Sequence, residues 1–432
     1  MSLTKAGYLD RIVDDKIKDY INLFGAILIE GPKWCGKTWT SLNHANSVAY
    51  IMDPVNNYNN RALARLNPAL VLPGEAPRLI DEWQEVPGIW DAVRFAVDQN
   101  PGFGKYILTG SVTPPEDSYI HSGTGRIASV RMRPMSLFES KDSTGEISLR
   151  VLFNNEPIEP FISEMDILRL IDVTIRGGWP ETLSHPINKA GNIAIEYINA
   201  TVRNELPNGG LSNKDQAKMR KLLRSLARNN STTASIKTLS MDSDGLLRNG
   251  QSEDDIIASR YSIAEYLTHL KRIFVIEEIP PWSPDIRSKT ILRQAAKRVF
   301  TDPSLAIAAL GADKNRMLHD LNTFGFMFEN LCLRDLAVYA GYIDGSIFHY
   351  RDNSELEVDA IIELPNGAWG AFEIKLGENQ IESAAVTLLR MKNKMITAGA
   401  EPPSCLVVVT GGGLARKRED GIYITPIDAL RH

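Results

Sequence analysis

The sequence has little of several things, and each scarcity removes a possibility. Its three cysteines, Cys35, Cys332 and Cys405, are far apart and lack CxxC spacing, which excludes a disulfide framework and argues against a structural zinc site. No stretch approaches the roughly 18 uncharged apolar residues of a membrane span, so no membrane contact is expected. The opening MSLTKAGYLD has no basic segment followed by an apolar run and does not read as a signal peptide. Positive charge is not in excess: 48 Lys and Arg against 53 Asp and Glu give a formal net charge of −5. Binding to nucleic acid must therefore use a local basic patch. No internal repeat is visible. A soluble protein in a reducing, cytoplasmic setting is expected.

What is present is ordinary in bulk, with 43% apolar and 23% charged residues, as in globular proteins. At 432 residues the chain exceeds what one core organises, so two or three domains are expected. The pattern divides it into residues 1–155, 156–302 and 303–432. In the first, a helix over 9–22 precedes the apolar run 25–30, which stops at a glycine loop and suits a buried parallel strand. Residues 47–52, 77–81, 105–109 and 127–132 read as further strands, with helical patterns such as 89–99 between them. Interleaved strands and helices predict a parallel sheet covered on both faces.

The second segment is mostly helical. Met219, Leu222, Leu223 and Leu226 share one helical face, and 259–270 is a further helix. Residues 273–279 alternate as a strand, 297–301 form its hairpin partner, and the prolines within 280–284 suit the tip. Helices followed by such a hairpin predict a winged-helix module. The third segment reads as a helix over 324–340, three strands near 347–350, 357–363 and 369–374, a helix over 380–395 and a strand at 404–409. That order predicts a compact α/β domain.

Gly31, Gly36, Lys37 and Thr38 satisfy the phosphate-loop pattern G-x-x-x-x-G-K-[ST] (Walker A), with Pro32, Lys33, Trp34 and Cys35 at its free positions and Trp39 just after it. The glycines let backbone N–H groups converge on phosphate at a helix N-terminus. Lys37 adds a point charge at the β- and γ-phosphates, and the Thr38 hydroxyl is placed to ligate Mg²⁺. ATP and Mg²⁺ are the expected cofactors. Asp81 and Glu82 then end an apolar strand. Asp81 is placed to hold Mg²⁺ through water and Glu82 to orient or deprotonate the attacking water. Ser111, with Thr109 second, ends the next strand where a γ-phosphate sensor belongs. Arg126 is the candidate for neutralising transition-state charge, in cis or from a second copy, with Arg131 and Arg133 as competitors. Cys35 at a helix N-terminus makes redox control conceivable, although simple filler is the plainer reading.

Together, GPKWCGKT, LIDEWQ, ILTGS, Gly125-Arg126 and Pro134-Met-Ser-Leu-Phe-Glu139 resemble the prokaryotic AAA-type P-loop ATPases in which a C-terminal domain of unknown function follows the ATPase. Arg176-Gly-Gly-Trp-Pro-Glu181, Asp302-Pro-Ser-Leu305 and Gly325-Phe-Met-Phe-Glu329-Asn330 match the same family's second half, so the resemblance runs through nearly the whole chain. Lys33, where such loops often carry arginine, and the bulky Trp39 are departures that leave the essential chemistry untouched. The resemblance implies an α/β P-loop core, a winged-helix middle and a C-terminal domain like a restriction endonuclease.

Glu329 on a helix, Asp359 on a strand and Glu373-Ile-Lys375 closing the next strand follow the order of a PD-(D/E)xK nuclease. In that reading Glu329, Asp359 and Glu373 hold a divalent metal and Lys375 stabilises the nucleophile or the developing charge. An ExK triplet alone carries no weight, since Glu139-Ser-Lys141 is another. Lys214, Lys218, Arg220, Lys221, Arg224 and Arg228 crowd one helix, and Arg287, Lys289, Arg293, Lys297 and Arg298 cluster near the hairpin. Either patch suits phosphate neutralisation, with Ser259, Arg260, Ser262 and Glu265 opening a candidate groove-reading helix. The same residues also fit a solvated helix face or a protein contact.

The leading expectation is an ATP-driven switch acting on double-stranded DNA or a protein partner, possible as a homo-oligomer. The alternatives are an ATP-regulated, metal-dependent DNA nuclease and a non-hydrolysing ATP-binding interaction protein.

Overall fold

The computed structural model describes residues 3–113, 123–204, 213–244, 253–285 and 294–432. Two compact units emerge: residues 1–134 with 272–274, and residues 135–271 with 275–432. Among the described residues no helix is long and apolar enough to cross a membrane.

The first unit runs α1 (Val13–Ile21), β1 (Ala26–Glu30), α2 (Lys37–His44), β2 (Ser47–Tyr50), α3 (Asn59–Leu66) and β3 (Arg78–Asp81). It continues with α4 (Gly88–Gln99), β4 (Tyr106–Gly110) and β5 (Ile127–Arg131). These strands form a parallel sheet in the order β2-β3-β4-β1-β5. Ala26 to Ile29 of β1 are all buried, as an apolar run in a doubly covered sheet must be. Ile80 and Leu108 pack with Trp83, Ile89, Trp90 and Val93 on one face. The order places β4, and so Thr109 and Ser111, between the glycine-loop strand β1 and the Asp81 strand β3.

The second unit begins with β6 (Ile147–Ser148), α5 (Leu149–Phe153), β7 (Phe161–Ile162), α6 (Ile167–Arg176) and α7 (Ile187–Asn204). Then come α8 (Asn213–Arg228), α9 (Ile236–Asp244), α10 (Glu253–Arg272), β8 (Ile276–Ile279) and β9 (Lys297–Phe300). Helices α11 (Pro303–Leu310), α12 (Lys314–His319) and α13 (Leu321–Tyr342) lead to β10 (Ser346–Arg351), β11 (Glu357–Glu363) and β12 (Trp369–Lys375). The chain closes with α14 (Ile381–Thr397), β13 (Cys405–Thr410), β14 (Leu414–Lys417), β15 (Tyr423–Pro426) and β16 (Leu430–Arg431). A mixed sheet in the order β10-β11-β12-β13-β15-β14-β7 forms its centre. Leu388 and Met391 of α14 pack on Val358, Ile361, Ala371 and Val408 of that sheet.

Several residues of the family-like motifs are joints of this unit. Arg334, buried on α13, donates to Asp302 at 2.8 Å and to Asp335 at 2.7 Å. Those carboxylates also accept the backbone N–H groups of Gly178 and Leu137, each at 2.9 Å. A Cβ at Gly178 would lie 2.1 Å from the Met135 carbonyl oxygen, so no side chain fits there.

β8 and β9 pair antiparallel, with Ile279 opposite Lys297, as the alternating pattern predicts. The prolines after β8 do not form a free tip. Trp282 N–H donates to the His349 carbonyl at 2.7 Å, His349 N–H donates to that of Pro280 at 3.0 Å, and the Trp282 ring is buried against Trp369. This segment covers the β10 edge of the sheet, where proline costs no ladder bond.

Candidate nucleotide-binding site

The strand β1 delivers the chain to Gly31, where a Cβ would meet the Met132 carbonyl oxygen at 2.1 Å. The loop then turns through left-handed conformations at Trp34 (φ 65°) and Gly36 (φ 101°), and α2 begins at Lys37 with no side-chain cap on its first amides. Uncapped N–H groups at a helix start are an anion site. The Lys37 side chain is buried, and its ammonium donates to the Pro32 carbonyl at 2.8 Å, which holds it over the loop. Trp34 and Trp39 are exposed and Cys35 is buried with its thiol 3.9 Å from the Met132 carbonyl.

At the ends of β3 and β4 a chain of hydroxyls and carboxylates meets the loop. Thr38 Oγ1 donates to Asp81 Oδ1 at 2.8 Å, and Thr109 Oγ1 donates to the same oxygen at 2.8 Å. Thr109 Oγ1 accepts the Glu82 N–H at 3.1 Å, and Ser111 Oγ donates to Glu82 Oε2 at 2.8 Å. Gln84 completes the set by donating to Glu82 and to Ser111. Glu82 sits at φ 59°, a conformation costly for a non-glycine residue, and these bonds hold it there. Burial raises the Asp81 pKa, partly offset by the Thr109 and Thr38 bonds. A threonine hydroxyl and a carboxylate are the hard oxygen donors that Mg²⁺ prefers, so Thr38 and Asp81 fit that ion, which would supply positive charge to phosphate oxygens.

Several supports of this site carry no motif. Arg11 donates to the carbonyls of Cys35 at 2.7 Å and Arg133 at 2.8 Å, tying the loop to the chain after β5. Tyr8 donates to Asp14 at 2.8 Å and to Thr40 of α2 at 3.2 Å, while His44 at the end of α2 lies 2.6 Å from Asp14. Only their place in the polar positions around α1 could have marked them.

Arg126 is not brought to the loop. The Ala26 N–H donates to the Arg126 carbonyl at 3.1 Å, and in the parallel register Arg131, not Arg126, stands opposite Glu30. Five residues of strand separate them, about 16 Å, so Arg126 lies at the far end of β1 and does not serve this loop in cis. Its guanidinium pairs with Asp98 at 2.8 Å. Arg131 lies at the loop end, over the Phe274 ring at 3.8 Å. Beside it the Glu30 carboxyl is raised by burial, an effect that Arg131 opposes.

In the second unit, Glu329, Asp359, Glu373 and Lys375 do come together, but with a fifth residue the sequence did not place there. Lys297 is 2.7 Å from Glu329, and Lys375 is 2.6 Å from Glu373 and 3.2 Å from Asp359. Burial pushes the Glu373 carboxyl up to about 8 and that of Glu329 up to about 7. Burial acts the same way on Asp359, yet Lys375 and Lys297 outweigh it and hold that carboxyl below its ordinary value. Among the described residues no group of three or more His, Cys, Asp or Glu side chains is arranged to hold a metal. Glu329, Asp359 and Glu373, expected as metal ligands, each pair with a lysine ammonium.

On α8, Lys218, Arg220, Lys221, Arg224 and Arg228 are exposed while Met219, Leu222, Leu223 and Leu226 are buried. Arg287, Lys289 and Arg293 lie outside the described residues, as do the side chains of Lys214, Ser259 and Arg260. Ser262 is half-buried and Glu265 exposed. Lys297 is interior and leaves the basic surface.

Residues 24–141 match the family model of an AAA domain. Residues 167–316 and 324–430 match two domains of unknown function, DUF8612 and DUF4143. No curated protein matches the sequence. Among solved structures, the chain is similar to the Walker-type ATPase PABY2304 of Pyrococcus abyssi. The identity is 11% and the TM-score 0.33, over 71% of this chain and 97% of that one. The AAA-domain match falls on the parallel sheet and the loop described above.

Proposed function

We propose that the protein binds ATP-Mg²⁺ at Gly31–Thr38, hydrolyses it with Glu82 as the group that orients the attacking water, and reads the γ-phosphate through Ser111. The observation that carries this reading is the bonded series Thr38–Asp81–Thr109–Glu82–Ser111. It joins the Mg²⁺ ligands to the water-orienting carboxylate and to the sensor. Ser111 donates to Glu82, so a γ-phosphate arriving at Ser111 competes for that hydroxyl and frees the carboxylate for water.

In this reading the nucleotide state controls a winged-helix segment within 156–302 and a nuclease-like segment within 303–432, acting on double-stranded DNA. Support for the first comes from α8, α9 and α10 preceding the β8–β9 hairpin, with Thr232 bridging Arg298 beside it. Support for the second comes from the order α13-β10-β11-β12-α14-β13, and for DNA from the exposed cations of α8. The alternative of metal-dependent DNA cleavage is disfavoured by Lys297 within the carboxylate cluster. A single test separates the readings: ATP turnover and salt-dependent duplex binding of wild type beside Glu82→Gln. Under the proposal Glu82→Gln retains ATP and loses turnover. Equally negligible turnover in both proteins, with ATP bound by both, supports the non-hydrolysing alternative instead.

A further inference from the structure

Glu82 follows β3 at φ 59°, and the chain then closes a tight turn. The Glu85 N–H donates to the Glu82 carbonyl at 3.2 Å and the Val86 N–H to that of Trp83 at 3.0 Å. Trp83 anchors the turn: it is buried, and its ring lies 5.1 Å from that of Trp90. This turn brings the Gln84 side chain back to the carboxylate two residues before it. Gln84 Nε2 donates to Glu82 Oε2, and to Ser111 Oγ at 3.4 Å. A primary amide has two N–H donors. Here one serves the carboxylate and the other the hydroxyl proposed to read the γ-phosphate.

The other end of the amide fixes which way it points. Gln84 Oε1 is buried and has no hydrogen-bond partner among the described residues. It lies against the end of β4, where a Cβ at Gly110 would be 3.3 Å away. Turning the amide over would set that carbonyl against the Glu82 carboxylate, two acceptors with no proton between them. A buried acceptor left unpaired is costly, so the donor orientation persists because its bonds outweigh that cost. A bond to an ionised carboxylate is of the stronger, charge-assisted kind.

Ser111 and Gln84 both donate to the same oxygen, Glu82 Oε2, which leaves Oε1 to face water. When a γ-phosphate takes the Ser111 hydroxyl, the Ser111 bond is lost and the Gln84 bond remains on the carboxylate. A group that orients a nucleophile needs such a hold, because small misplacements are costly in rate. We infer that Gln84 is a positioning residue for ATP hydrolysis: its amide keeps Glu82 aimed at the attacking water after Ser111 has turned to phosphate. The inference rests on the ATPase reading above, and it places no contact between Gln84 and the nucleotide.

The test is a double-mutant cycle on the full chain with wild type, Gln84→Met, Glu82→Gln and the two changes combined. Single-turnover ATP hydrolysis is measured beside calorimetric binding of ATP-Mg²⁺ and of ADP with aluminium fluoride, a transition-state mimic. Gln84→Met keeps the length of the side chain and removes its donors. The expected result is hydrolysis slower by about 10- to 100-fold, the worth of a hydrogen bond to a charged group. ATP affinity should stay within about threefold of wild type while affinity for the mimic falls with the rate, as loss of an interaction specific to the transition state requires. In the Glu82→Gln background, Gln84→Met should add almost nothing. Gln84→Glu, equal in size and without a donor, serves if the methionine variant does not fold. Equal losses of ATP and mimic affinity, an unchanged rate, or a full further loss in the Glu82→Gln background would each overturn the inference and leave the ATPase reading standing. Wild type that binds no ATP, or binds it without turnover, overturns both.

Discussion

Thr38 and Asp81 meet at 2.8 Å although 43 residues separate them in the chain, and that bond joins the phosphate loop to the strand whose carboxylate faces it. The register of the parallel sheet makes the meeting necessary: β1 and β3 both pair with β4 and end on the same side. Everything the site is expected to do depends on that edge.

Thr109 is the hub beneath it, buried and bonded both to the Asp81 carboxylate and to the Glu82 N–H. Thr109→Val keeps the shape and removes both bonds. A buried group left without its partner costs about 1–3 kcal/mol. The variant is expected to lose kcat for ATP with little change in ATP affinity, measured by steady-state turnover beside equilibrium binding.

Glu82→Gln preserves the size of the side chain and removes its basicity. General-base assistance is worth roughly 10²–10⁴ in rate, so turnover is expected to fall by that factor while ATP remains bound. Single-turnover kinetics with radiolabelled ATP checks it.

The glycine loop, the Asp81-Glu82 strand end and the first sheet were legible in the sequence because each is a local pattern: an apolar run, a glycine turn, a carboxylate pair. Arg126 precedes β5 in the chain, but which end of the sheet it occupies follows only from the register with β1, and that register keeps it from its own loop. Lys297 falls in a basic run with Arg298, yet it is buried. Strand alternation held the clue, since Lys297 and Val299 share a face. Arg11, Tyr8, Asp14 and His44 brace the loop through contacts far apart in the chain, which no spacing rule reports.

Arg334 is expected to be the most costly single polar loss in the second unit. Arg334→Met leaves Asp302 and Asp335 buried without their cation, and breaking such a pair costs roughly 3–5 kcal/mol. Hydrogen exchange should accelerate at the Leu137 and Gly178 amides, which those carboxylates accept.

Asp142 gives a pH signature. Burial alone would raise its carboxyl, but the Arg176 hydrogen bond and charge outweigh burial and hold it below the ordinary 3.8. A depressed carboxylate contributes stability that is fully present above its unfolded value and disappears as pH falls through the folded value. Exchange protection around residues 167–177 is therefore expected to weaken as pH drops below about 4. In Asp142→Asn that acid-dependent part should be absent.

The most direct measurement is calorimetric titration of ATP-Mg²⁺ into wild type and Lys37→Ala. Saturable binding of one nucleotide is expected in wild type. Affinity should be lower by about 10- to 100-fold in the variant, the worth of a charge-assisted contact to phosphate. Absence of binding in wild type, or equal affinity in both proteins, would contradict the account.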